Sequence, residues 1–99
     1  MSRVLFLLLL AFSPWAAVQS KAPPKSGQCT ACHGADGQSR IAVNPILRCQ
    51  HEAYLVTALN AYRSGSRKHP VMNSIANTLQ PKDISSLAAW YANQPGCRK

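Results

Sequence analysis

Five adjacent residues, Cys29-Thr30-Ala31-Cys32-His33, put two thiols and an imidazole into one short stretch. Two cysteines three positions apart share one face of a helical turn. From there both sulfurs reach adjacent edges of a porphyrin and can bond its vinyl groups, while the next residue carries its imidazole beneath the ring. Cys-x-x-Cys-His is accordingly the attachment signature of a c-type haem, with Cys29 and Cys32 as thioether donors and His33 as an iron ligand. Three other chemistries use the same residue types. A redox-active dithiol of the thioredoxin type needs a strand–helix–strand context, which the sequence lacks. A Cys29–Cys32 disulfide closes a short, strained loop. Zinc is the more serious rival, because Cys29, Cys32, Cys49 and His51 supply three sulfurs and a nitrogen. Cys49-Gln50-His51, however, leaves a single residue between ligands where two to four are usual.

If iron is bound, its second axial position decides what it can do. Methionine opposite histidine fills the coordination sphere and raises the potential. The sequence holds two methionines, Met1 and Met72, and Met1 opens an apparent leader. Met72 is then the sulfur left for the other face. Methionine also fills core gaps, and His51 and His69 are rival ligands. Two-histidine ligation lowers the potential, and an open position suits a gas binder or peroxidase. Given a haem, Met72 is the expected ligand.

The leader is read from residues 1–20. Met1-Ser2-Arg3 starts positive, Val4 to Phe12 is an unbroken apolar run, and Ser13-Pro14 breaks it before small residues through Ser20. These are the regions of a secretory signal, with cleavage expected after Ser20 and Val18 and Ser20 at the small-residue positions. The apolar run is about half of the roughly 20 residues a membrane span needs. An uncleaved anchor that holds the chain at the membrane is the alternative. Export to the periplasm leaves roughly 80 residues, 21–99, as one domain of a size that usually needs a staple. A haem would serve as one, since the aliphatic inventory is thin and leans on Tyr54, Tyr62, Trp90 and Tyr91.

The elements that must position these residues read as short helices. Ser26 to His33 fits one, with Ser26 as its cap and Gly34 ending it in the left-handed conformation. Residues 35–48 read as a loop. A second helix runs from about His51 to Ser64, with Leu55, Ala58, Leu59 and Tyr62 on one face and Gly65 at its end. Residues 66–72 read as a loop, since Pro70 pushes His69 into an extended conformation. One or two helical turns follow over 73–79. Pro81 and Asp83 suit the first turn of a last helix, which carries Ile84, Leu87, Ala88 and Tyr91 on one face and stops at Pro95-Gly96. The expected fold class is all-α.

Charge narrows the partners. The chain has 11 Lys and Arg against 3 Asp and Glu, a formal net charge of +8. Such a surface favours acidic partners and speeds encounter with them. Arg63, Arg67 and Lys68 cluster before Met72. No basic stripe interleaved with stacking aromatics is present, so nucleic acid is not an expected partner.

Taken together, the motifs resemble the small class I bacterial c-type cytochromes of periplasmic electron transport. The likeness spans essentially 26–94. It rests on Cys29-Thr30-Ala31-Cys32-His33-Gly34, on Asn44-Pro45-Ile46-Leu47 before Gln50-His51-Glu52-Ala53-Tyr54-Leu55, and on Ala61-Tyr62-Arg63-Ser64-Gly65. It continues through Pro70-Val71-Met72-Asn73-Ser74-Ile75-Ala76 and Asp83-Ile84-Ser85-Ser86-Leu87-Ala88-Ala89-Trp90-Tyr91. The resemblance implies an all-α cytochrome c fold around one covalent haem c, with His33 and Met72 on opposite faces of the iron. It implies that Pro45 lends its carbonyl to the ring N–H of His33, and that Tyr62 and Trp90 pack against haem or helices. The function implied is one-electron transfer between periplasmic redox proteins, without catalysis. The basic charge suits partners with acidic docking surfaces, membrane-bound respiratory complexes among them, and the oligomeric state stays open, with a monomer expected. A haem subunit docked to a dehydrogenase or oxidase, or a haem sensor, is the alternative.

The sequence departs from the family at Arg48-Cys49, where relatives commonly have Ala-Gly, and at Cys97. With Cys29 and Cys32 bonded to haem, these two cysteines remain in an oxidising compartment, where free thiols are uncommon. A Cys49–Cys97 disulfide is expected.

Overall fold

The computed structural model describes residues 2–9 and 21–98. The expected cleavage positions Val18 and Ser20 lie outside the described residues. Val4 to Leu9 are exposed and belong to no helix. Among the described residues no helix is long and apolar enough to cross a membrane.

Four α-helices follow a short 3-10 turn at Pro24–Ser26: α1 (Gly27–His33), α2 (Glu52–Ser64), α3 (Pro70–Asn77) and α4 (Pro81–Ala92). No strand occurs among the described residues. The all-α expectation holds, with three local corrections. Ser26 does not cap α1. It lies in the helical region at φ −63°, ψ −25°, and makes no side-chain cap bond, because the 3-10 turn feeds directly into the helix. Gly34 has the expected positive φ, 85°, but its ψ of 155° keeps it out of the left-handed helical basin. A Cβ there would sit 2.6 Å from the Gln38 carbonyl oxygen, so the chain can turn this tightly only at glycine.

The third correction concerns Met72, which lies in the first turn of α3 rather than in a loop. Pro70 occupies the first helical position, where its missing N–H costs nothing and its fixed φ suits the helix. The extended residue before it, His69 (φ −158°, ψ 117°), becomes the N-cap. The effect that read as loop-forming is therefore the start signal of a helix.

α4 is the central element. Ile84, Leu87, Ala88, Tyr91 and Ala92 are all buried along it, and it packs against α2, whose Leu55 is also buried. Burying each large aliphatic side chain stabilises by about 2 kcal/mol. Pro81 starts α4, and the Gln80 N–H donates to Asp83 Oδ2 at 2.8 Å, satisfying a donor that the helix leaves unpaired. Trp90 packs on this core rather than on the cavity described below.

The long 35–50 segment is tied down at two places. Leu47 and Arg48 both donate backbone N–H bonds to the Gly37 carbonyl, at 2.8 and 3.1 Å. Cys49 N–H donates to the Tyr91 carbonyl at 3.0 Å. Cys49 has φ +61°, a conformation rare outside glycine, at the position where the resemblance noted Gly. Its sulfur meets that of Cys97 in a disulfide contact, with Cα atoms 5.2 Å apart. Arg48 adds a strap across the same end, donating from Nη2 to the Pro95 carbonyl and lying 3.6 Å from Asp36 Oδ2.

Candidate functional site

α1 is short because it lies between the 3-10 turn at Pro24–Ser26 and the positive-φ turn at Gly34. Thr30 Oγ1 donates back to the carbonyls of Ser26 and Gly27, at 3.2 and 3.1 Å. Cys29 and Cys32 are free thiols, the first half-buried and the second exposed. His33 closes the helix and is 8 % exposed. Its Nδ1 lies 2.8 Å from the Pro45 carbonyl oxygen. A carbonyl only accepts, so Nδ1 carries a proton; in the neutral ring the lone pair is then on Nε2, the tautomer in which an imidazole binds metal through Nε2. Asn44 holds this arrangement from the other end, its Nδ2 donating to the Cys32 carbonyl at 2.9 Å. The loop that aims Pro45 is thus fastened to the helix that carries His33.

These residues line a cavity of about 360 Å³. α1 contributes Cys29, Cys32 and His33; the following loop contributes Pro45, Ile46 and Leu47; α2 contributes Tyr54, Leu55, Leu59 and Tyr62. Val71, Met72 and Ile75 come from α3, and Leu87, Ala88 and Tyr91 from α4. The sequence-predicted residues Cys29, Cys32, His33, Pro45 and Met72 are therefore brought to one chamber. Its lining is mainly carbon, yet Val43, Ile46, Tyr54 and Val71 are half exposed or more. An apolar disc held there would cover them. Two free thiols, an imidazole with an available lone pair and a thioether in an apolar chamber fit a covalently attached haem.

The rival readings fare differently. His51 is exposed and does not line the cavity, and no group of three or more His, Cys, Asp or Glu side chains is gathered for a metal among the described residues. The zinc set is thereby broken, since Cys49 lies against Cys97 instead. His69 does line the cavity, but its Nδ1 accepts from Met72 N–H at 3.3 Å as the cap of α3. A wider polar depression of about 660 Å³ between α2 and α3, lined by Thr57, Asn60 and Arg63 among others, holds none of these residues.

Electrostatics inside the chamber follow from burial. Desolvation pushes the Cys29 thiol up, and contact with Tyr91 partly offsets this. The Tyr91 hydroxyl has no oxygen or nitrogen partner and lies beside the Cys29 sulfur, a weak acceptor. Burial, then the neighbouring Cys29, raises its pKa above the ordinary tyrosine value. Arg67 stacks over the Tyr62 ring at 4.7 Å and donates to the Tyr54 hydroxyl at 3.5 Å, bringing a cation to the edge of the chamber.

Sequence reasoning passed over Asn44 and Asn73. Both are polar residues beside the proline or methionine of interest, and a lone asparagine in a turn carries no signal of which distant carbonyl it will meet.

No protein-family model matches the chain. Cytochrome c-554(548) of Halomonas halodenitrificans is 41 % identical over 73 residues, covering 71 % of this chain and 88 % of that protein. The chain belongs to the small bacterial c-type cytochromes. Covalently bound haem c and a role in electron transfer, as a carrier rather than an enzyme, come with that membership. A thiosulfate dehydrogenase electron acceptor of Thiomonas intermedia is 37 % identical over 93 % of this cytochrome and 44 % of its own length. Cytochrome c4 of Pseudomonas aeruginosa is 31 % identical over 95 % of the chain and 49 % of its own length. The chain thus spans under half the length of these last two relatives. A solved structure of cytochrome c4 from Acidithiobacillus ferrooxidans aligns with a TM-score of 0.62 at 31 % identity, over 65 % of this chain and 37 % of that one.

Proposed function

We propose that residues 21–99 form a carrier with one haem c, bonded through Cys29 and Cys32 and ligated by His33 and Met72. Residues 1–20 direct the chain to the periplasm and are removed. One haem follows from the single Cys-x-x-Cys-His motif. The observation that carries the reading is the convergence of both thiols, the Pro45-oriented imidazole and the Met72 thioether on one apolar chamber. Haem iron, when bound, supplies the one-electron exchange. The chain's part is to fix the ring proton of neutral His33 on Nδ1 through the Pro45 bond so that Nε2 faces the chamber's ligand as the free nitrogen, to hold Met72 ready, and to exclude water with the aliphatic lining. The Pro45 bond also strengthens the imidazole as a donor, a tuning that partner groups of metal-bound histidines commonly exert.

Absorption spectra of the exported protein test this directly. Sharp reduced bands and the weak far-red band of methionine-bound ferric iron are expected. Met72→Ala should abolish the far-red band, lower the potential and open the reduced iron to carbon monoxide. A wild-type protein that binds carbon monoxide as readily as Met72→Ala sinks the His/Met assignment.

Exchange with redox proteins is the role in which the positive charge is useful. Arg63, Arg67 and Lys68 are exposed and fit an acidic docking face. Transfer rates to such a partner should fall as salt rises. A rate independent of salt removes the electrostatic part of the proposal. The relative named as an acceptor for thiosulfate dehydrogenase favours a dehydrogenase as donor. Disulfide formation between Cys49 and Cys97 completes the proposal and suits an oxidising compartment.

A further inference from the structure

We infer that Asn73 is a positioning residue for the Met72 ligand: its side-chain amide clamps the first turn of α3 to the end of α2 and so holds Met72 at the haem chamber. The inference rests on the reading of Met72 as the iron's second axial ligand.

The clamp is made of backbone groups at helix ends that regular helical bonding does not reach. Asn73 Oδ1 accepts the His69 N–H at 2.9 Å. Asn73 Nδ2 donates to the Tyr62 carbonyl and to the Arg67 carbonyl, both at 2.8 Å. Tyr62 is in the last turn of α2, where its carbonyl otherwise meets only the Gly65 N–H at a longer 3.3 Å, and His69 is the N-cap of α3, where N–H groups have no intrahelical partner. Arg67 belongs to the connection between them. One side chain therefore satisfies the end of one helix, the connection and the start of the next. An amide has two N–H donors and an oxygen acceptor, and here both N–H groups and the oxygen are used on main chain alone.

Met72 is the residue immediately before. Its own N–H reaches the His69 ring at 3.3 Å, a longer contact than any made by the Asn73 side chain. Apart from the Arg67 side chain, which lies on Tyr62 and Tyr54 of α2, the connection from Gly65 to His69 is lightly held. Gly65 and Arg67 N–H bond back to Tyr62 and Ala61, and Ser64 and Ser66 bond locally. The Asn73 amide is what joins this connection to α3 itself. No other residue type reproduces it at this length: aspartate keeps the acceptor but loses both donors, and alanine loses all three groups.

A thioether leaves iron when its segment opens. Without the clamp, the Arg67 carbonyl and the His69 N–H return to water, the Tyr62 carbonyl keeps only its longer Gly65 contact, and opening becomes easier. Loss of one or two net hydrogen bonds favours the open state by about five- to thirtyfold. Competition with imidazole reads this population directly, because an added ligand binds only the fraction whose iron position is free.

The experiment uses ferric holoprotein in five forms: wild type, Asn73→Ala, Asn73→Asp, Met72→Ala and Ile84→Ala. Ile84 is fully buried on α4 and does not line the chamber, so its variant reports the effect of lost global stability alone. Imidazole is titrated while the far-red band is followed. Both Asn73 variants should keep the band without imidazole and bind imidazole about five- to thirtyfold more tightly than wild type. Ile84→Ala should unfold at lower denaturant with wild-type imidazole affinity. If the band is present in wild type but the Asn73 variants match wild type in imidazole affinity, the inference fails while the Met72 reading stands. Failure is equally shown if Ile84→Ala tightens imidazole binding as much as the Asn73 variants do. A wild type without the band, or Met72→Ala retaining it, overturns the Met72 reading and the clamp together. Should an Asn73 variant not load haem, nuclear magnetic resonance of the wild type decides: both Asn73 side-chain N–H protons should exchange slowly, and free exchange of either overturns the clamp.

Discussion

At the scale of single residues, polar atoms of this cytochrome are assigned by who can donate to whom. His33 Nδ1 meets a carbonyl and must donate, which leaves Nε2 as the free nitrogen of the neutral ring. Tyr91 is the opposite case, a hydroxyl buried with no oxygen or nitrogen partner. Burial disfavours its phenolate, and Cys29 beside it adds to the effect before haem attachment. In the unfolded chain a tyrosine ionises near about pH 10. The raised folded value means that the stability contributed by neutral Tyr91 is fully present below that pH and is lost as pH rises beyond it. Ultraviolet titration of the holoprotein should show a last phenolate step that coincides with alkaline unfolding. Tyr91→Phe should remove that step; loss of amplitude from the earlier step instead would show that Tyr91 ionises with the other tyrosines.

At the scale of elements, the fit between the 35–50 loop and α4 carries the site. Gly37 has φ +84°, and a Cβ on it would lie 2.7 Å from Tyr91 Cδ1 and 2.8 Å from Arg48 N. Its carbonyl takes two N–H bonds from Leu47 and Arg48. Gly37→Ala combines a disfavoured backbone with overpacking against main chain, and should destabilise by roughly 2–4 kcal/mol. Because Pro45 sits in the loop so displaced, the variant should also shift the reduction potential. Denaturant unfolding and voltammetry on the same sample check both; loss of stability with an unmoved potential would uncouple the loop from His33. The Met72 side of the chamber is built alike, with an asparagine next to the segment of interest tying it to a neighbouring helix end. Asn44 does this for Pro45 and Asn73 for Met72. Both are side chains doing the work of backbone pairing where the chain has left regular structure.

At the scale of the whole molecule, the question is what keeps so small a shell closed. α4 supplies the core, and the covalent haem proposed here would anchor α1. The Cys49–Cys97 contact joins the entry of α2 to the tail beyond α4, across 48 residues of sequence. A bond of that span stabilises by about 4 kcal/mol in the chain-entropy account. Part of this is offset by the positive φ that Cys49 must adopt. A Cys49→Gly, Cys97→Ser pair should therefore lose roughly 2–4 kcal/mol in guanidinium unfolding, since glycine relieves the backbone while the tether is lost. Mass spectrometry of unreduced holoprotein should find neither cysteine alkylated. Alkylation of either would remove the tether from the account, and the Arg48 strap to Pro95 and Asp36 would be what holds that end.

Much of this was readable along the chain, and for definite reasons. Haem attachment is local chemistry: Cys29, Cys32 and His33 must be neighbours in sequence, because one helical turn has to present them together. The faces of α2 and α4 were readable because burial against a core imposes a 3.6-residue period. Met72 stood out by scarcity, and Cys49 with Cys97 by departure from a family pattern. The start of α3 was misread because proline marks both the end of extended chain and the first position of a helix, and which it marks depends on what caps it. Here the cap is His69, with Asn73 behind it. What only the tertiary structure decided is how these pieces meet: that Pro45 faces His33, that Tyr91 lies against Cys29, and that Asn44 and Asn73 bond to the carbonyls of Cys32, Tyr62 and Arg67. Those pairings run between residues distant in sequence, and a hydrogen bond between distant residues leaves no period or spacing in the chain that makes it.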